Sequence, residues 1–292
     1  MELCYYKGKN FGDELNPYII NILLPNYKEI YENYSLFFIG TILNDSFIQK
    51  TQGNDIEKYK IILGAGVRFI KRPPKVDKYW KIVFVRGPLS ALSLTKDTKD
   101  YITDPAYLIK YTPAYNFCSR GKKYKVSLMP HIFSLDKINW KKLCANHGIN
   151  FIDPSCKNVE YVVQEIAQSE YLISEAMHGA IIADAFRVPW KRIKYFSHFK
   201  ESDLVSEYKW ADWLFSMKLT HFTCDLHYNK FIREIDKRYN ISYIKNLRLR
   251  YAEDNFKEVL KDDGYQLSNA KILEDKTEQL LQKVNLISNC KI

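Results

Sequence analysis

The sequence predicts an α/β protein made of two doubly wound units. Three features carry that reading: short runs of β-branched and aromatic residues, amphipathic stretches alternating with them, and Gly, Asn or Asp at the junctions. Strands that alternate with helices build a parallel sheet covered on both faces. In chain order, "ELCYYK" leads into "GKNFGDELN", "SLFFIG" into "TILNDS", "KIILGAG" into "VRF" and "KIVFVRG" into "PLSALSL". "YITDPAYLI" closes this series, with Asp104-Pro105 as a turn after a strand.

Residues 110–125, "KYTPAYNFCSRGKKYK", are polar, basic and turn-rich, and read as a linker. The second series runs "KVSLMPHI", "DKINWKKLCANHG", "INFIDP", "KNVEYVVQEIAQ" and "SEYLISEA", and ends in "HGAIIADAF". After Trp213 the pattern turns helical. Ser268 is the expected cap of a last helix whose apolar stripe is Ile272, Leu273, Leu280, Leu281, Val284 and Ile287. The expected division is therefore 1–115, 116–215 and a helical extension, 216–292, packing across both units.

A chain of 292 residues is long enough for two real cores. No apolar run approaches the roughly 18 residues of a membrane span, and "MELCYYKGKN" lacks a basic-then-apolar leader, so the expected location is the cytoplasm. Six cysteines, at 4, 118, 144, 156, 224 and 290, have neither metal-ligand spacing nor scaffold density, which predicts reduced thiols and no metal. The net charge of +10 favours anionic partners. Zinc-finger spacing, a basic arm and RNP-like aromatics are all missing, which argues against nucleic acid and leaves phosphorylated metabolites or an anionic membrane surface. The basic stretch 228–250 suits such a surface or a solvated helix face.

In open parallel sheets, ligands bind beyond the carboxyl ends of the strands, where helices present their positive N-termini. The unusual polar residues fall at those ends: Asn10, Gly12 and Asp13, then Gly40 and Thr41, Gly64 and Gly66, Arg86, His131, and Glu175 with His178. In "SEAMHGAII", Gly179 leaves the helix start open to an anion. There His178 either delivers a proton or is a satisfied capping histidine. Arg86 has no obvious acidic partner in sequence, and either clamps a phosphate or carboxylate or makes a surface salt bridge. Asp13 reads as a general base or a first-turn acid, Asp104 as a turn residue or a catalyst, and His131 as a substrate-orienting or a loop residue. Histidines 147, 198, 221 and 227 read as solvated. "GAGV" lacks the full dinucleotide fingerprint, so no nicotinamide cofactor is read.

The succession "NFGDELN", "IGTIL", "LGAGV", "VRGPLS", "TDPA", "MPH", "FIDP" and "LISEAMHGAIIADAFRVPW" resembles the polysaccharide pyruvyltransferase family, in its succinoglycan-type ketal branch. The resemblance spans roughly residues 1 to 215. It implies two Rossmann-like domains facing across a GT-B-like cleft. It also implies transfer of a pyruvyl group from phosphoenolpyruvate, the donor substrate, to two hydroxyls of one sugar, releasing phosphate without a cofactor or metal. The family's Ser-x-Arg-x-His-Gly motif falls on Ser174, Ala176, His178 and Gly179, and its Asn-x-Gly-Asp motif on Asn10, Gly12 and Asp13. The motif arginine is absent here, Ala176 standing in its place; the family uses it on the donor's anionic groups, and Arg86, Arg187 and Lys200 are the candidates to replace it. On this reading His178 is the general acid, Asp13 or Glu175 the base and Arg86 the donor clamp. Gly40, Gly66, Asp104 and His131 line the site, and the acceptor is a lipid-linked sugar of a surface polysaccharide at the inner face of the membrane. A GT-B glycosyltransferase using a nucleotide sugar, and a non-catalytic carbohydrate-binding protein, are the other readings open to these residues.

Overall fold

The computed structural model describes the chain except residues 31, 53–56, 70, 96, 98–99, 227–241 and 290–292. Most of the basic stretch 228–250, and His227, therefore lie outside the described residues. The described chain divides into two compact units. The first comprises Met1–Asn116, Leu204–His221 and Ser268–Ile292; the second comprises Phe117–Asp203 and Phe222–Leu267. The division at residue 116 lies next to the expected one. The chain then returns twice into the first unit, which the expected scheme of three consecutive pieces did not contain.

In the first unit, strands β1 (Glu2–Cys4), β2 (Tyr34–Phe37), β3 (Tyr59–Leu63) and β4 (Trp80–Phe84) form a parallel sheet in that order. β2 and β3 are buried almost throughout, as strands covered on both faces must be. Helices α1 (Phe11–Leu23) and α2 (Asp45–Gln52) make the first two crossovers, and α3 (Pro88–Leu94) follows β4. The expected helix after β3 is absent among the described residues, because Pro73 and Pro74 remove amide donors and force extended backbone. With its order running one way, this sheet has no reversal, and the doubly wound expectation is corrected for this unit.

The second unit is doubly wound in the expected sense. β5 (Tyr124–Met129), β6 (Asn150–Phe151), β7 (Ser169–Ser174), β8 (Trp190–Lys194) and β9 (Cys224–Asp225) lie in the order β6-β5-β7-β8-β9, all parallel. Helices α4 (Trp140–Asn146), α5 (Val159–Ala167), α6 (Met177–Ala185) and α7 (Ser197–Glu201) connect them, and α4 and α5 are capped by the side chains of Asn139 and Asn158. The core gathers Leu128, Ile173 and Ile193 from the sheet with Trp140 and Leu143 from α4. The tail is not wholly helical: β9 joins the sheet before α9 (Ser242–Lys261).

Two later helices belong to the first unit by its contacts: α8 (Asp203–Ser216) from Leu204 on, which lies between β8 and β9 in sequence, and α10 (Ala270–Ser288), which follows the second sheet. Asn269, rather than Ser268, caps α10, accepting from the amides of Lys271 and Ile272. Its buried stripe is Leu273, Thr277, Leu280, Val284 and Ile287; Thr277 is tolerated because its hydroxyl donates to the Leu273 carbonyl. α8 is fastened by Asp212, whose fully buried carboxylate takes Arg86 Nε at 3.1 Å, the Ser90 amide at 2.9 Å and the Ser90 hydroxyl at 2.6 Å. Gly87 allows this approach, since a Cβ there would lie 2.0 Å from the Asp212 carbonyl oxygen. Asp212→Ala leaves the Arg86 charge buried without its counter-ion and should cost about 3–5 kcal/mol in urea unfolding, whereas Asp136→Ala, on an exposed pair, should cost under about 1 kcal/mol.

Candidate functional site

The carboxyl edge of the first sheet begins with Asn10, which caps α1: its Oδ1 accepts from the Gly12 amide at 3.3 Å and its Nδ2 donates to Asp13 Oδ2 at 2.7 Å. Pro17 has no amide to give the Asp13 carbonyl four residues earlier, and Asn16 Nδ2 takes its place at 3.2 Å. Asn16 is fully buried and also pairs with both the amide and the carbonyl of Ile39, which fixes α1 against the end of β2. Burial pushes the Asp13 carboxyl up to about 7, against the pull of Asn10 and Lys209. A carboxyl titrating there is suited to proton transfer near neutral pH.

Gly40, with φ at +118°, turns the chain after β2, and its carbonyl takes the Gly66 amide at 2.9 Å, joining the loops after β2 and β3. Gly66 leaves room for the Arg86 guanidinium, whose Cζ would be 2.5 Å from a Cβ at that position. Arg86 was expected to lack an acidic partner. It has Asp212, from 126 residues away, and gives Nη1 to the Thr41 hydroxyl at 2.7 Å. Being fully buried, it offers no face to a solvent-borne ligand. Asp104 is also fully buried and caps the 3₁₀ turn Pro105–Tyr111 through the Ala106 amide.

In the second sheet the order reverses between β5 and β7, since β6 lies on one side of β5 and β7, β8 and β9 on the other. A reversal opens a crevice beyond the carboxyl ends of the two strands, the ordinary ligand position in such sheets. The residues delivered there are His131 after β5, and Glu175, Ala176 and His178 after β7. Ala176 starts α6 in an extended conformation with no side-chain cap. Gly179 lets that first turn sit on the strand ends; a Cβ would meet Met129 Sδ and Ser174 Oγ, each at 2.7 Å. His178 belongs to the same turn and is partly buried.

Glu175 organises this edge. One carboxylate oxygen accepts the amides of Tyr195, Phe196 and Ser197 at 3.2, 3.0 and 2.9 Å, and the other accepts the His131 amide at 3.0 Å. Burial alone would raise its pKa, but nearby His131 and the main-chain hydrogen bonds from His131 and Ser197 outweigh burial and hold it below the usual value. A carboxylate so occupied positions the loops after β5 and β8 rather than collecting protons. His131 Nδ1 accepts the Phe133 amide at 3.2 Å, and its Nε2 lies 3.8 Å from Glu201 Oε1.

Of the proposed substitutes for the motif arginine, Arg187 follows the C-terminal end of α6, a helix about 13 Å long. It therefore sits toward the opposite edge of the sheet, with Nη1 4.0 Å from Asp184. Lys200 is exposed on α7, which follows β8 at the carboxyl edge. The same short helix carries His198, read from sequence as solvated yet only 12% exposed, its ring 3.8 Å from that of Phe199. The clue was adjacency to a strand end; Asn16, Lys209 and Asp212 had no comparable signal, since their partners are remote in sequence or on α8.

Residues 3–195 match the polysaccharide pyruvyl transferase family model. The chain belongs to the polysaccharide pyruvyl transferase family. It is also 36% identical over 224 residues to the succinoglycan biosynthesis protein ExoV of Rhizobium meliloti (strain 1021), covering 76% of this chain and 66% of that protein, just under two thirds of its length. Within this family member, the carboxyl edge of each sheet holds one of the two motifs that carried the resemblance, Asn10 to Asp13 in the first and Ser174 to Gly179 in the second. Among the described residues no helix is long and apolar enough to cross a membrane.

A carboxyl whose folded pKa is raised stabilises the fold fully below its unfolded value, near 3.8, and loses that contribution as pH rises toward about 7. The melting temperature of Asp13→Asn minus that of wild type should therefore climb between about pH 4 and 7 and then level off. A difference independent of pH would show that Asp13 titrates normally.

Proposed function

We propose that this protein transfers a pyruvyl group from phosphoenolpyruvate to two hydroxyls of one sugar, forming a cyclic ketal and releasing phosphate. The reading is carried by the family match over residues 3–195, together with a motif histidine at the reversal point of the second sheet. The chemistry needs a proton on the donor's vinyl carbon, a base for the hydroxyl, and cationic or amide groups for carboxylate and phosphate. His178 is the acid, at the start of α6, whose first amides and positive helix end favour an anion. Asp13 is the base, by its carboxyl near 7. With Arg86 buried and Arg187 toward the far edge, Lys200 is the cation that stands in for the arginine absent at Ala176.

The finer expectations join this proposal: a lipid-linked acceptor of an exopolysaccharide or capsule at the inner face of the membrane, and no cofactor. Phosphoenolpyruvate at 100 times its dissociation constant should stabilise the protein by about 2.7 kcal/mol, seen as a rise in melting temperature. His178→Ala should keep that stabilisation and lose phosphate release by roughly 100-fold or more, while Lys200→Ala should weaken the stabilisation. Stabilisation by a nucleotide sugar and none by phosphoenolpyruvate would contradict the proposal.

A further inference from the structure

Forming a ketal from an enol ester and a diol releases two hydroxyl protons, of which one ends on the donor's methyl carbon and the other on the departing phosphate. One acid and one base account for the first addition only. The second hydroxyl attacks after, or as, the carbon–oxygen bond to phosphate breaks, and its proton needs a separate acceptor. This argument rests on the pyruvyl-transfer reading.

Among the described residues, the carboxyl edge of the second sheet holds His131, His178 and His198. His178 is the acid of the first step, and both ring nitrogens of His131 face partners, the Phe133 amide and Glu201. His198 differs. Its Nδ1 is enclosed, so a substrate proton can reach the ring only at Nε2, which lies 4.0 Å from Asp203 Oδ1. The backbone that carries it is fixed one residue earlier, because Ser197 gives its amide to Glu175. The carboxylate at the start of α6 thus also sets the position of the helix bearing His198.

We propose that His198 is a second catalytic base, taking the proton of the second hydroxyl and passing it to the leaving phosphate. In the first step the donor's CH₂ gains a proton from His178, the first hydroxyl oxygen bonds to C2, and the hydroxyl proton goes to Asp13. In the second step the C2–O bond to phosphate breaks, the second hydroxyl oxygen bonds to C2, and its proton moves to His198 and then to phosphate. The groups facing His198 are Asp203 at the start of α8, Lys194 on β8, Glu175 after β7 and Asp225 on β9. Burial, with Lys194, lowers its pKa against the pull of the three carboxylates, leaving it neutral and able to accept a proton at neutral pH.

The test follows phosphoenolpyruvate in D₂O with methyl β-D-glucopyranoside and methyl β-D-galactopyranoside as diol probes, reading deuterium at C3 of recovered donor and ketal product by mass spectrometry. His198→Gln, with His198→Asn as a second variant, should keep the stabilisation by phosphoenolpyruvate and the deuterium incorporation. Ketal should fall roughly 100-fold or more, because the first addition still forms and reverses. His178→Asn should lose both deuterium and ketal. Ketal formation near the wild-type rate in either folded His198 variant overturns the proposal, as does loss of deuterium together with ketal, which places His198 at the first step. A wild-type protein that yields neither deuterium nor ketal removes the pyruvyl-transfer reading itself, and the second base with it.

Discussion

A carboxylate buried without solvent must be met by donors, and at Asp212 that requirement determines how the chain is arranged. Arg86 and Ser90 of the first unit supply the donors, so α8, which follows β8 of the second sheet in sequence, is drawn back into the first unit. Removing one partner from such a pair is costly because the other charge stays buried. Gly66, against the guanidinium, and Gly87, against the α8 backbone, exist on the same account. The arginine that seemed suited to hold a substrate is used to hold the fold.

The second unit repeats the device with a different outcome. Glu175 is buried too, but its donors are main-chain amides from two loops, and those loops carry the titratable side chains of the edge. The carboxylate therefore acts as a brace, kept ionised by His131 and by its amides. Backbone amides held by a fixed anion lose little freedom when a substrate arrives, which is what preorganisation of a site requires.

The parallel sheets, the strand-to-turn junctions and both motifs were legible from local pattern, because strand burial and turn chemistry are set within a few residues. Other features were not legible for specific reasons. The missing crossover helix before β4 was signalled by Pro73-Pro74 but masked by an alternating rhythm elsewhere. The return of α8 depends on Arg86 meeting Asp212, a contact across 126 residues that no local pattern records. His198 looked solvated because Phe199 alone gave no local pattern of burial, and the start of α8, which also faces it, is placed by the fold. Asp13 and Glu175 looked alike as acids near helix starts, and their donors, one side-chain amide against four main-chain amides, separate a carboxyl raised to about 7 from one held below its usual value.

Pyruvyl transfer requires the donor to react at carbon, with the enol ester's C2–O bond breaking as the ketal forms. It is tested most directly with phosphoenolpyruvate carrying ¹⁸O in the bridging position, reading the released phosphate by mass spectrometry after turnover with the sugar probes. The label should leave with phosphate. Label retained on the three-carbon product would mean that the phosphorus–oxygen bond breaks instead, and would contradict pyruvyl transfer.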